Sequence, residues 1–207
     1  MLDATGGRGP VVIADAETNG RIAAAGQPDA IVRTALDSEA FARALERVNE
    51  AVARCQARGV SVVFHHHAAT YVESEHELER FLAGTDVAIC FDTGHALVGG
   101  IDPLRGVQIC GSRIAHLHLK DVDGGLLAQV RSGEVGIEEA WDAGIFCPFG
   151  EGEVDFAAVL AAPELAGFAG WGVLEQDRVA VRAADLESVR AIEEQNLALV
   201  RASQPGA

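Results

Sequence analysis

Short apolar segments alternate with amphipathic helical patterns along this chain, and few folds satisfy that order. Five segments rich in β-branched residues end in polar residues and predict buried strands. They are residues 11–13, 60–64, 87–91, 114–119 and 171–174. Helical patterns lie between or after them, at about residues 38–58, 74–82, 103–110, 155–162 and 185–201. This alternation predicts an α/β fold of parallel βα units with right-handed crossovers.

Polar residues that can bind a metal or transfer protons are concentrated at the ends of the predicted strands. Six of the seven histidines lie there: His65, His66 and His67 after the second strand, His95 after the third, and His116 and His118 in the fourth. Asp92 and Glu175 add a carboxylate to the ends of the third and fifth strands. The remaining histidine, His76, lies between two glutamates on a predicted helix, so we expect it to be solvated.

Strand periodicity indicates which of these side chains share a face, because residues two apart point the same way. If His118 and Lys120 face inward, His66 faces outward toward the helices. One residue from each of four strands could then converge on a single cation. These four are His65, Asp92, His118 and Glu175. Two imidazoles and two carboxylates suit Mn²⁺, Co²⁺, Fe²⁺ or Zn²⁺.

Three further side chains are candidates for catalysis, namely His67, His95 and Lys120. His95 follows Gly94 in a predicted turn, where Gly94 can take a positive φ angle. His95 would either orient Asp92 or contact a substrate. Lys120 would either stabilise an enediolate oxygen or pair with the adjacent Asp121.

Composition restricts the class of protein. Sixteen Lys and Arg residues against 31 Asp and Glu give a net charge of -15, which repels polyanions and argues against nucleic acid as a partner. The four cysteines have no CxxC spacing, and no segment resembles a cleavable signal. No apolar run approaches the length needed to cross a bilayer. We therefore expect a cytoplasmic protein with reduced thiols and no membrane partner.

The number of strands leaves two architectures open. A closed barrel needs eight strands and typically about 250 residues, whereas an open doubly wound sheet would fit five strands. Residues 122–152 form a connection of about thirty residues between a strand and the next helix, where roughly two to six are usual. A connection of this length is more often functional than not.

Four segments of the chain resemble the xylose isomerase-like barrels of sugar isomerases, epimerases and inosose dehydratases. They are residues 65–73 (HHHAATYVE), 91–95 (FDTGH), 116–121 (HLHLKD) and 174–178 (LEQDR). The end of the long connection, residues 143–152 (AGIFCPFGEG), and residues 175–177 (EQD) point to the inosose dehydratase branch. The resemblance extends from about residue 10 to the C-terminus.

The resemblance implies a (β/α)8 TIM barrel, N-terminally truncated to about five units. Residues 1–207 would form one partial domain of βα units 4 to 8, with residues 122–152 as an inserted βα loop. Asp92, His118 and Glu175 match the family's metal positions after its sixth, seventh and eighth strands. The fourth position, usually a glutamate after the fifth strand, is His65 here. Open edges at both ends of such an arc predict association into homo-oligomers.

The resemblance also implies an activity. We expect a lyase that dehydrates a cyclic keto-polyol such as inosose through an enediolate, with Mn²⁺ or Co²⁺ preferred and Zn²⁺, Fe²⁺ or Mg²⁺ as alternatives. Glu151, Asp177 and Arg178 would contact the small polyol or sugar substrate. Isomerisation of a sugar or sugar phosphate, or 3-epimerisation of a ketose, uses the same chemistry. An inactive barrel fragment serving as an interaction domain is the alternative from another class.

Overall fold

The computed structural model describes residues 9–175, Asp177 and residues 183–203. Its strands are β1 Val11–Ala14, β2 Val62–His65, β3 Ala88–Asp92, β4 Ile114–Leu119, β5 Asp121–Val122, β6 Phe146–Cys147 and β7 Trp171–Leu174. Its α-helices are α1 Asn19–Ala24, α2 Pro28–Thr34, α3 Ser38–Gln56, α4 Glu75–Gly84, α5 Thr93–Val98, α6 Pro103–Cys110, α7 Gly124–Ser132, α8 Ile137–Ala143, α9 Phe156–Leu160 and α10 Ala183–Ser203. Short 3₁₀ turns occupy Gly111–Arg113 and Pro163–Leu165.

Five strands form one parallel sheet in the order β1-β2-β3-β4-β7. Each corresponds to a predicted strand, and β4 and β7 have the predicted bounds. The prediction of parallel βα units is therefore confirmed. The sheet is the arc expected of a truncated TIM barrel. A separate antiparallel pair, β5 with β6, lies outside this sheet.

Capping residues stabilise the ends of two of the predicted helices, α3 and α4. The carboxylate of Asp37 accepts a hydrogen bond from the backbone N–H of Ala40 and caps α3, which ends before Gly59, whose φ is 70°. Ser74 and Glu77 form a reciprocal capping box at the start of α4. Hydrogen-bonding groups that a helix leaves free at its ends are thus satisfied locally.

Five helices were not predicted from the sequence: α1, α2, α5, α7 and α8. Each has between six and nine residues, a length at which a helix depends on tertiary packing rather than on its own propensity. Within the connection 122–152, α7 and α8 both end at a glycine in the left-handed conformation, Gly133 and Gly144. The long connection is consequently ordered, with its own hydrophobic cluster.

Hydrophobic side chains form three clusters in the described part of the chain. The largest lies between the outer face of the sheet and its helices, where the rings of Phe64 and Phe81 stack with centroids 4.0 Å apart. The second joins α7 and α8 to α5, through residues such as Val98, Leu127 and Ile137. None of the described helices has the length and apolar character needed to span a bilayer.

A buried ionic cluster joins the first helices to the loop after β2. The Arg21 guanidinium donates to Glu73 at 3.2 Å and to both carboxylate oxygens of Glu77 at 3.0 Å, and all three side chains are almost fully buried. Glu73 also accepts hydrogen bonds from the backbone N–H groups of Gly26 and Ala69. Ala69 has a φ of 65°, a rare conformation for a residue with a side chain. The cluster therefore holds the backbone that follows His65, His66 and His67.

Replacing Arg21 with Met should destabilise the protein by about 3–5 kcal/mol, because it leaves two carboxylates buried without their cation. Urea unfolding followed by circular dichroism measures this difference. The matched control is Arg43→Met, since Arg43 pairs with Glu39 while its side chain is 55% exposed. Such a pair contributes at most about 1 kcal/mol. Equal losses in the two variants would contradict a structural role for the buried cluster.

Candidate metal centre

Strand register brings the predicted ligands together at the carboxyl ends of the sheet. Asp92 on β3 lies opposite His118 on β4, and His65 on β2 lies opposite Cys90 on β3. Leu174 on β7 pairs with Leu119 on β4, so Glu175 follows beside Lys120. Neighbouring parallel strands therefore direct side chains of one face to a common region.

Three of the four predicted metal ligands form one tight group. Asp92, His118 and Glu175 each offer a ligand atom within 4.8 Å of the others. His118 Nδ1 lies 3.1 Å from Glu175 Oε2 and 3.7 Å from Asp92 Oδ2. His65 lies at the edge of this group, with its Nε2 3.7 Å from Asp92 Oδ2.

Lys120 is the cation that contacts these carboxylates. Its Nζ lies 2.9 Å from Asp92 Oδ2 and 2.5 Å from Glu175 Oε2. The hydroxyl of Thr93 donates to the Lys120 carbonyl at 2.7 Å and accepts from the Lys120 N–H at 2.9 Å, which fixes the backbone of this residue. The predicted alternative of a pair with Asp121 is wrong, because the Lys120 side chain points to the inner face instead.

The charges of this group balance one another. Burial alone would raise the pKa of Asp92, but the Lys120 ammonium and the protonated His118 hold it well below its usual range. Burial has the same effect on Glu175, yet His118 and Lys120 lower its pKa to about 2. For His118, the adjacent carboxylates outweigh burial and raise the pKa to about 11. Binding of a divalent cation would therefore displace a proton from His118.

His95 lies behind Lys120 and contacts Asp92 through its backbone. Its N–H donates to Asp92 Oδ1 at 2.9 Å, while its ring Nε2 lies 3.2 Å from Lys120 Nζ. Burial lowers the pKa of His95 well below its usual value, so the ring is neutral. Gly94 does not take a positive φ angle, since the predicted turn is the start of α5. Glycine is required there because a Cβ would lie 2.6 Å from the Cβ of Lys120.

His67 is the more accessible of the two candidate catalytic histidines. Its side chain is 24% exposed, and its ring lies against that of His95 with centroids 3.6 Å apart. Its Nδ1 is hydrogen-bonded to the Ala68 carbonyl at 2.7 Å and lies 3.8 Å from the Glu17 carboxylate. Its Nε2 therefore remains available for chemistry.

The predicted substrate contacts differ in how they relate to the site. Asp177 lies next to it, with Oδ2 3.5 Å from Lys120 Nζ. Glu151 is exposed, and its carboxylate has no hydrogen bond or ion pair among the described residues. Arg178 lies outside the residues that the structure describes.

Two polar residues that were not predicted as site residues organise the surroundings. The buried carboxylate of Asp121 accepts hydrogen bonds from the backbone N–H groups of Val122, Gly150, Gly152 and Val154. This holds the loop that carries Glu151. His66 faces away from the inner face, as predicted, and its Nε2 accepts from the Asp92 N–H at 3.1 Å. The sequence gives little indication of these roles, because both side chains accept hydrogen bonds mainly from backbone N–H groups that are distant in the chain.

The donor set fits a divalent cation. Asp92, His118 and Glu175 supply one nitrogen and two carboxylates, which are ordinary ligands of first-row divalent metals. Nδ1 of His65 is buried and has no hydrogen-bond partner among the described residues. A buried ring nitrogen without a partner is costly unless something else, such as a cation, compensates it.

The parallel five-stranded arc, with carboxylates and imidazoles at its carboxyl ends, is an α/β fold of TIM-barrel type. The family model for the xylose isomerase-like TIM barrel matches residues 13–195. The chain therefore belongs to the xylose isomerase-like TIM-barrel family.

Several known proteins are similar to the chain. The rhizopine catabolism protein MocC of Rhizobium meliloti is 37% identical over 142 residues, which cover 68% of this chain and 43% of that protein. An inosose dehydratase of Geobacillus thermodenitrificans is 36% identical over 124 residues, covering 58% of this chain and 42% of the enzyme. These alignments thus span less than half the length of either relative.

Solved structures show the same fold. The IolI protein, whose structure holds a zinc atom, aligns with a TM-score of 0.64 and 16% identity over 96% of this chain and 65% of that one. A D-psicose 3-epimerase of Clostridium cellulolyticum aligns with a TM-score of 0.60 and 18% identity over 83% of this chain and 59% of the epimerase. At such identities the likeness concerns the fold alone.

Replacing His118 or Glu175 with Ala should abolish tight Mn²⁺ binding, because each variant removes a ligand from the group of three. Isothermal titration and metal analysis after dialysis measure the loss. His76→Ala is the matched control, since His76 is exposed on α4 and away from the sheet. An unchanged Mn²⁺ content in Glu175→Ala would refute the assignment.

Proposed function

We propose that this chain carries the metal-binding part of a lyase that dehydrates a cyclic keto-polyol such as inosose. The observation that carries the proposal is the meeting of Asp92, His118 and Glu175 around the Lys120 ammonium. The 36% identity to an inosose dehydratase supports this substrate class. These relatives are longer than this chain, and their dehydratase activity is extended to it by this proposal.

The proposed cofactor is a divalent cation, Mn²⁺ or Co²⁺ in the first place and Zn²⁺, Fe²⁺ or Mg²⁺ otherwise. Asp92, His118 and Glu175 would hold it, with His65 beside them. When bound, it supplies Lewis-acid polarisation of the substrate's ketone oxygen.

Lys120 stabilises the negative charge that develops on the substrate. The reaction removes a proton from the carbon next to the ketone, and the charge moves onto oxygen as an enediolate. The Lys120 ammonium is buried and oriented before the reaction, because Thr93 fixes its backbone. A fixed cation in a site that excludes water stabilises such charge more than a mobile one in water.

The two histidines have different roles in this proposal. His67 is partly exposed and can reach a substrate, so we assign proton transfer to it. His95 is buried, neutral and 3.2 Å from Lys120 Nζ, so it positions the ammonium. Proton removal at the α-carbon, rupture of the β carbon–oxygen bond and protonation of the departing hydroxyl yield water and a carbon–carbon double bond.

Substrate recognition would come from the residues around Lys120. Asp177 lies next to its ammonium and can accept hydrogen bonds from polyol hydroxyls. Glu151 lies in the loop that Asp121 holds, where it can approach a bound polyol when that loop closes. Arg178 follows Asp177 in the chain and is proposed as a third contact. The partner is therefore a small sugar or polyol.

Incubating the Mn²⁺-loaded protein with inosose should produce enone-type absorbance, and removing the metal with a chelator should abolish it. Lys120→Met should lower kcat by roughly 10²–10³-fold, as removal of one preorganised charge-stabilising donor does. His76→Ala is the control and should retain full turnover. The initial rate of absorbance change is the measurement.

The alternative activities give different results in this assay. No absorbance change by protein with verified bound metal would refute the dehydratase. Conversion of a ketose to its 3-epimer instead would favour an epimerase, which the same enediolate chemistry supports. No activity on either substrate would favour a catalytically inactive interaction domain.

A further inference from the structure

Cys90 lies within the site but has no part in the proposed reaction. It occupies the inner face of β3, two residues before Asp92, and it is fully buried. One ligand atom each from His65, Cys90 and His118 lies within 4.8 Å of the other two. Register explains this arrangement, because His65 and Cys90 are direct partners across β2 and β3.

Packing alone does not account for this thiol. A buried free cysteine usually behaves as a small hydrophobic residue, as Cys110 does within the largest hydrophobic cluster. Cys90 belongs to none of the hydrophobic clusters in the described part of the chain and has two imidazoles as neighbours. The side chains of His65 and His118 are only 9% and 10% exposed, and Nδ1 of His65 has no hydrogen-bond partner among the described residues.

Two groups of three donors therefore overlap at His118. The carboxylate site consists of Asp92, His118 and Glu175, and the thiol site consists of His65, Cys90 and His118. Lys120 neutralises the carboxylates of the first group but has no hydrogen bond to the second among the residues described. A cation could thus enter the thiol site without displacing the ammonium.

We propose that His65, Cys90 and His118 form a second cation site that takes thiophilic divalent metals such as Zn²⁺, Co²⁺ or Cd²⁺. Sulfur and imidazole donors favour such ions, whereas carboxylates suit Mn²⁺ and Mg²⁺. Because His118 belongs to both sites, the two exclude each other. On binding, the Cys90 thiol proton and the proton held on His118 leave to solvent. The sulfur and imidazole nitrogen electron pairs then form the bonds to the metal, with no change of oxidation state. The proposal does not depend on the dehydration reaction.

Titrating the full chain with Co²⁺ tests the thiol site directly. Wild-type protein should develop a thiolate-to-cobalt charge-transfer band in the near ultraviolet, and Cys90→Ser should lack it. The Zn²⁺ affinity of Cys90→Ser should fall by at least about 100-fold, because this variant loses a direct ligand. Loss of a residue that only supports a metal ligand already lowers affinity by up to about 100-fold. The matched control is Cys55→Ser on α3, which should keep both the band and the affinity.

A comparison of two variants separates this proposal from the proposed function. Glu175→Ala should lose Mn²⁺ binding but keep the charge-transfer band, whereas Cys90→Ser should keep Mn²⁺ binding. If Glu175→Ala retained Mn²⁺, the carboxylate site would be refuted while the thiol site stood. A band that survives in Cys90→Ser would overturn the thiol site alone.

X-ray absorption of the Zn²⁺-loaded wild-type protein tests the proposal without any variant. The expected result is one sulfur neighbour at about 2.3 Å, with nitrogen or oxygen neighbours at about 2.0–2.1 Å. A spectrum with nitrogen and oxygen neighbours only would overturn the proposal, even if Cys90→Ser failed to fold.

Discussion

The pairing of β3 with β4 is the interaction on which the site depends. It sets Asp92 opposite His118, and the pairing of β4 with β7 then brings Glu175 beside Lys120. Side chains alternate between the faces of a strand, so a shift of one residue in either register would turn half of this group toward the helices. The geometry of the group is therefore a property of the sheet rather than of a loop.

Buried charge gives the site its particular arrangement. Asp92 is fully buried, which is tolerable only because Lys120 and nearby imidazoles compensate it. A second buried ionic cluster around Arg21 holds the backbone at Ala69, a few residues after His65. Removing one member of either network leaves an uncompensated charge. The loops that carry the chemistry are thus ordered by electrostatics as well as by hydrophobic packing.

The part of the site that lies at the ends of the strands could be predicted from the sequence. Asp92 ends a strand, Glu175 follows one and His118 lies near the end of a third, and their meeting follows from parallel pairing. The hydrogen bonds that the Asp121 carboxylate accepts from the backbone N–H groups of Gly150, Gly152 and Val154 did not follow. Those contacts join segments that are far apart in the sequence. The local hydrophobic period does not show that such segments meet in space.

The sequence by itself determined the alternation of strands and helices, the strand-end donors and the xylose isomerase-like resemblance, because hydrophobic period and residue type are local properties. Only the tertiary structure decided that Lys120 pairs with Asp92 and Glu175 rather than with Asp121, and that Cys90 lies between two imidazoles. It also decided that the short helices α7 and α8 form. These outcomes depend on register, strand tilt and packing between residues far apart in the chain, which no local pattern specifies.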